Sequence, residues 1–129
     1  MSSIFTKIIN GEIPAYKIAE NDYFIAFLDA MPLVKGHTLV IPKKETDLIF
    51  DMESEEYKNL WAFAQDVAKK VKKAIPCIRV GVAVVGLEVP HAHIHLIPLQ
   101  TVEDMNFKNE RLKLSPEEYS EIQNSIVNS

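Results

Sequence analysis

Only one stretch of this chain can form a long helix, and its position limits the fold. Tyr57, Leu60, Trp61, Ala64, Ala68, Val71 and Ile75 recur at spacings of three and four, which marks a single apolar face. Ser54 is the expected N-cap, and Glu55 and Glu56 suit the positive end of the helix dipole. Lys69, Lys70, Lys72 and Lys73 suit the negative end, as a solvated helix terminus rather than an anion site, and Pro76 stops the helix. Three strand-like runs precede it: Tyr16 to Ala19, Tyr23 to Asp29, and His37 to Ile41, which Pro42 ends. Two follow it. Ile78 to Val85 is rich in β-branched residues and reads as a buried strand, and His91 to Pro98 comes after a tight connection over Gly86 to Pro90. Strands and helices do not alternate strictly, so the expected class is α+β, with a five-stranded antiparallel sheet. Two shorter helices flank this unit. Ser3 and Gly11 bracket Ile4 to Asn10, and Ser115–Pro116–Glu117–Glu118 opens a C-terminal helix with a cap, a proline at its first position and acids in its first turn. Thr101 to Lys113 is polar and reads as irregular.

The chain has 129 residues, 47% of them hydrophobic and 25% charged, with no Ser/Gly linker and no internal repeat. That is the profile of one globular domain over residues 1–129. Fourteen Lys+Arg against eighteen Asp+Glu leave a formal net charge of -4, which argues against a nucleic-acid partner but not against one small anionic ligand. The single cysteine, Cys77, excludes an internal disulfide framework and fits a reducing compartment. The start Met1 to Lys7 has neither the basic flank nor the apolar run of a secretory leader. The longest apolar stretch, Val80 to Leu87, is far below the roughly 20 residues of a membrane span. The expected location is therefore cytoplasmic, without membrane contact.

The chemistry is concentrated in His91–Ala92–His93–Ile94–His95–Leu96–Ile97–Pro98, which holds three of the four histidines. In a strand, His91, His93 and His95 share one face, about 7 Å apart, while Ala92, Ile94 and Leu96 face the core. A row of imidazoles can bind a metal, move protons, or attack phosphorus. A straight strand spreads His91 and His95 about 13–14 Å apart, so all three cannot close on one ion, though two could with a ligand from elsewhere. In the nucleophilic reading the central imidazole attacks with one nitrogen. Its other nitrogen donates a hydrogen bond that fixes the tautomer.

The His-x-His-x-His pattern resembles the signature of the histidine-triad (HIT) family of nucleotide hydrolases and transferases. Two further blocks carry the resemblance: Ile4 to Ala15, similar to the family's N-terminal helix and turn, and Phe27–Leu28–Asp29 followed by Gly36 to Lys43, similar to its central strands. The similarity runs from about Ile4 to Pro98, in order, and is nearest to the branch of small adenosine-nucleotide hydrolases. It implies that His93 is the nucleophile and becomes nucleotidylylated. His95 then contacts phosphate or assists the leaving group, and His91 and His37 support the site through hydrogen bonds. Asp29, with its neighbour Ala30, matches the ribose-binding position. Phe5, Ile8 and Phe27 match the lining of the base pocket, although as apolar residues they serve a core equally well. The resemblance further implies a homodimer joining two sheets, a purine nucleotide substrate cleaved at its α-phosphate, and no required cofactor. Phosphoramidates, acyl nucleotides and dinucleoside polyphosphates are the expected substrate classes.

Two departures stand out. Many members carry Cys-x-x-Cys near the N-terminus as half of a structural zinc site; here those positions are Ser3 and Thr6. Before the triad, the family's Gly-Gln-Ser/Thr-Val is replaced by Gly86–Leu87–Glu88–Val89, and an Asn usual on the facing strand has no counterpart in Ile78 to Val85. Glu88 thus stands where a hydroxyl helps the leaving group, and is expected to act there as a general acid. Two other readings stay open: a metal-dependent hydrolase using the same histidines, and a nucleotide-binding module without turnover. Residues 99–129 carry no motif.

Overall fold

The computed structural model describes residues 3–129. The first two residues of the domain, and of the start read for a leader, lie outside the described residues. The elements are α1 (Ile4–Ile9), β1 (Lys17–Glu20), β2 (Phe24–Leu28), β3 (Thr38–Pro42), α2 (Ser54–Ala74), β4 (Arg79–Ala83), β5 (Ile94–Leu99) and α3 (Pro116–Val127). The five strands form one sheet in the order β1-β2-β3-β5-β4, and every pairing is antiparallel. This is the expected α+β architecture. No helix among the described residues is long and apolar enough to cross a membrane.

Both faces of the sheet are covered at its centre, which is why every residue of β2 and β3 is buried. One face packs Phe24, Ala26, Leu28, Val40, Ile94 and Leu96 against Leu60, Ala64, Val67 and Val71 of α2 and Ile122 and Ile126 of α3. The other face packs Ile25, Phe27, Leu39 and Ile41 against Phe5 and Ile8 of α1. Helix α1 has only six residues, too few to be stable alone. It is held by its cap, where Ser3 Oγ accepts the Thr6 N–H at 3.1 Å, and by its two buried side chains.

Three expectations need correction. Glu53, not Ser54, caps α2: its carboxylate accepts the Glu55 N–H at 3.2 Å, and its charge suits the helix start. The helix ends at Ala74 because Ile75 precedes Pro76 and is driven to extended geometry. Strand β4 is not buried. It is the last strand of the sheet: Val82 shares the α2 side with its partner Leu96 but is exposed there, and Val84 and Val85 beyond the strand's end are exposed too. Its β-branched composition reflects strand preference rather than burial. The triad strand starts at Ile94 rather than His91. Pairing of β5 with β3 reaches only Val40↔Ile94. Past that point the Pro42 carbonyl is taken by the His91 ring instead of a ladder partner, at 2.7 Å. The Ala92 N–H turns to the Thr46 carbonyl, at 2.7 Å.

Candidate active site

The histidines gather where β5 begins, beneath a cavity of about 640 Å³. That size suits a small-molecule ligand. Phe5, Ile8 and Phe27 form its apolar side, and Asp29 and Ala30 lie at the end of β2. His93 and His95 complete the wall, together with the loop holding Glu88. Eight of the ten residues singled out from the sequence therefore meet at one cavity. The other two, His91 and His37, do not line it. They stand behind His93 and His95, fully buried, and act on them through hydrogen bonds.

The hydrogen bonds fix the tautomers. His93 Nδ1 lies 2.7 Å from the His91 carbonyl oxygen, which can only accept. Neutral His93 therefore carries its proton on Nδ1 and presents a bare lone pair at Nε2. The opposite holds next door. His37 Nδ1 accepts the Leu33 N–H at 3.0 Å, so neutral His37 is protonated at Nε2. That Nε2–H donates to His95 Nδ1 at 2.9 Å, which leaves the His95 proton on Nε2. A lone pair and a donor thus come from neighbouring rings, 4.9 Å between centroids. Phe5 sets its ring edge-on to His93, also at 4.9 Å.

Burial keeps the supporting histidines neutral. It pushes His37 down to about 3, with His95 adding to the effect, and His95 down to about 4, with His93 and then Arg111 adding. His91 is also lowered, chiefly by burial. Burial raises the Asp29 carboxyl, against the Met31 N–H that its Oδ1 accepts at 2.8 Å. Asp29 Oδ2 lies 3.4 Å from His37 Nε2, but with His37 neutral the contact is not an ion pair.

Asp29, His37 and His95 bring three ligand atoms within 4.8 Å of one another, a grouping that invites a metal ion. The donor set does not fit one. Because His37 Nδ1 accepts from a backbone N–H, metal at Nε2 would require both its nitrogens to be unprotonated.

Behind the site, Ser3 and Thr6 form a hydrogen-bonded group. Ser3 Oγ pairs with His91 Nδ1 at 2.8 Å. Glu45 Oε1 accepts the Ser3 N–H at 2.7 Å and the Thr6 hydroxyl at 2.6 Å. The Thr6 hydroxyl, then the Ser3 N–H, hold the Glu45 carboxyl down to about 2. His91 is thereby clamped between α1 and the Pro42 carbonyl, and its own carbonyl aims His93.

Glu88 stands at the cavity wall, exposed. Sequence reasoning did not find Glu45, or three residues that the C-terminal segment brings to the cavity: Phe107, Arg111 and Tyr119. Phe107 packs edge-on to His95 at 4.9 Å, and Tyr119 donates its hydroxyl to the Asp29 carbonyl at 3.0 Å. A lone aromatic or arginine in a polar segment carries no signal of such a role. Ser3 and Thr6, three apart at a helix start, did offer a weak one.

Comparison with known proteins agrees with this geometry. A family model described as the HIT domain matches residues 10–102. An uncharacterised HIT-like protein of Borreliella burgdorferi is 34% identical over 131 residues, covering 95% of this chain and 94% of that protein. The adenosine 5'-monophosphoramidase of Schizosaccharomyces pombe is 38% identical over 103 residues, covering 76% of this chain and 74% of that protein. Among solved structures, a Hit-like protein of Bartonella henselae described as involved in cell-cycle regulation superposes with a TM-score of 0.84 at 33% identity, over 98% of this chain and 95% of that one. With the triad, the sheet and the family match in agreement, the chain belongs to the HIT family.

Proposed function

We propose that the protein is a nucleotide hydrolase acting at the α-phosphate of purine nucleoside phosphoramidates, acyl nucleotides or dinucleoside polyphosphates, through a covalent nucleotidyl-His93. The observation that carries this reading is the pair of opposite tautomers at the cavity: a free lone pair on His93 Nε2 beside a donor on His95 Nε2. In the first step His93 Nε2 attacks the α-phosphorus, and the bond from phosphorus to the leaving group breaks. The leaving group departs with a proton. In the second step water attacks the same phosphorus and returns a proton to the group that protonated the leaving group, the P–Nε2 bond breaks, and the nucleoside monophosphate leaves with His93 restored. His95 Nε2–H donates to a phosphate oxygen as negative charge builds there. Asp29 and Ala30 receive the ribose, and Phe5, Ile8 and Phe27 receive the base.

The hydrogen-bond chain limits what His95 does. If His95 gave up its Nε2 proton, only the His37 Nε2 proton could replace it, and His37 Nδ1 is already held by the Leu33 N–H. The chain holds a donor in place and does not feed protons. The leaving group therefore draws its proton from elsewhere, and Glu88 at the cavity wall is the side chain we assign to it. No metal is required, since the nucleophile is a side chain and the Asp29–His37–His95 group does not suit an ion. That the Schizosaccharomyces relative is an adenosine 5'-monophosphoramidase supports adenosine 5'-phosphoramidate as the first substrate to try. A homodimer completes the proposal. The exposed apolar side chains Ile78, Val82, Val84 and Val85 along the β4 edge support pairing there.

The test is steady-state hydrolysis of adenosine 5'-phosphoramidate by the purified chain in excess EDTA. Turnover is expected. Activity that returns only with added zinc favours the metal-dependent reading, and tight nucleotide binding without turnover favours a binding module.

A further inference from the structure

After β5 a short 3-10 helix, Val102–Met105, turns the chain back to the cavity, and the segment that follows brings one fixed cation with it. Arg111 lies half-buried in the cavity wall. Its Nη1 donates to the Met31 carbonyl at 2.7 Å and its Nη2 to the Phe107 carbonyl at 3.4 Å. Its Cζ sits 5.6 Å from the centre of the Phe107 ring, whose edge meets His95. The next residue, Leu112, donates its N–H to the Pro32 carbonyl at 2.9 Å, so the backbone here is tied to the loop after Asp29.

These contacts position the guanidinium without neutralising it. A guanidinium has five N–H donors, and two carbonyls occupy two of them. No carboxylate forms a salt bridge with Arg111 among the described residues. Its charge is felt at Asp29, His37 and His95, each of which it disposes toward the more negative form. A planar cation held by its edge over an aromatic ring, with donors to spare, is suited to a phosphate group.

We propose that Arg111 forms a subsite for a second phosphate of the nucleotide, in addition to the α-phosphate at His93 and His95. The inference rests on the nucleotide reading of the cavity and extends it. The second phosphate is either the next one in the phosphate chain or one carried on a ribose hydroxyl. In both cases the substrate class shifts from nucleoside monophosphate derivatives toward nucleotides with two phosphoryl groups.

The test is calorimetric binding of four probes to the full chain, to Arg111→Met and to Arg111→Lys. The probes are AMP, adenosine 5'-(α,β-methylene)diphosphate, adenosine 3',5'-bisphosphate and adenosine 2',5'-bisphosphate. The methylene bridge prevents cleavage during the titration. The unsubstituted chain is expected to bind at least one two-phosphate probe about tenfold or more tightly than AMP. Arg111→Met should reduce that ratio to within about twofold of one while changing AMP affinity less than about threefold. Arg111→Lys, which keeps the charge but loses the fork, should fall between. Preference for the methylene probe assigns the phosphate chain, and preference for a bisphosphate assigns the ribose. Thermal melting checks that each variant is folded. A ratio that survives Arg111→Met overturns the subsite. So does an equal loss for AMP and the other probes, because Arg111 would then serve only to tie Phe107 to Met31. Failure of AMP itself to bind the unsubstituted chain overturns the nucleotide reading and the subsite with it, whereas AMP binding with no gain from a second phosphate overturns the subsite alone.

Discussion

Ser3→Ala removes one oxygen atom and should disturb both stability and catalysis. Ser3 is buried, and its Oγ has two roles. It accepts the Thr6 N–H as the cap of α1, and it pairs with His91 Nδ1. Losing an N-cap costs about 1 kcal/mol. Leaving the buried His91 nitrogen without a partner costs about 1–3 kcal/mol more. The sum is roughly 2–4 kcal/mol, a large part of the total stability of a domain this size. At about 2.1 cal/mol/K per residue, the unfolding entropy of this chain is near 0.27 kcal/mol/K, so the melting temperature should fall by roughly 7–15 °C. The catalytic effect follows from the same contact. A freed His91 ring loosens the carbonyl that holds His93 Nδ1, so kcat should fall more than KM rises. Urea unfolding and steady-state kinetics on the same preparation read both. A stability loss under about 0.5 kcal/mol would refute the clamp, and a full stability loss with unchanged kcat would refute its link to the nucleophile.

Three other outcomes are expected. Glu88→Gln should lower kcat by roughly a hundredfold, the lower end of the range for general acids, while nucleotide affinity stays similar or improves; unchanged turnover would remove Glu88 from the mechanism. The second concerns pH. His37 and His95 are held down to about 3 and about 4 from 6.5, so below pH 6.5 the unfolded chain binds protons that the folded one refuses. Stability from these groups is complete above pH 6.5 and is lost as pH falls through about 4 for His95 and about 3 for His37. The slope is at most about 2.7 kcal/mol per pH unit for two protons, reduced by Asp29, whose raised carboxyl takes up protons in the folded state. A urea midpoint that does not change between pH 7 and pH 4.5 would contradict this. Third, Gly36→Ala should cost about 1–3 kcal/mol, because Gly36 has φ +94° and a Cβ there would come 2.8 Å from Ile75 Cγ1; a neutral result in thermal melting would show that the turn before His37 gives way.

The sequence was most legible where periodicity and burial coincide. The α2 face, the alternation of Ile94 and Leu96 into the core, and the Ser115 capping box all follow local rules that the packing does not override. Strand edges were less legible. Whether β4 lies inside the sheet or at its end depends on which strands lie beside it, and its own residues do not encode that. The triad was legible as a set of residues but not as a shape. Alternation placed His91, His93 and His95 on one face at equal spacing. The structure keeps only His95 in the strand and turns His91 into a buried support, because Pro42 offers a bare carbonyl where a ladder would need an N–H. The clamp partner Glu45 and the C-terminal wall were not legible. Glu45 meets Ser3 across 42 positions and Arg111 meets Met31 across 80, and a single acid or arginine at such a distance leaves no pattern.

The central claim is a covalent bond at His93 Nε2, and rapid acid-free quenching followed by peptide mass spectrometry tests it most directly. The chain is mixed with adenosine 5'-phosphoramidate in EDTA and sampled before and during steady state. The expected result is an adenylyl group on the peptide containing His93, formed and lost fast enough to account for turnover, and absent from His93→Ala, which should be inactive. Turnover without any adduct, retained in His93→Ala, would contradict the mechanism.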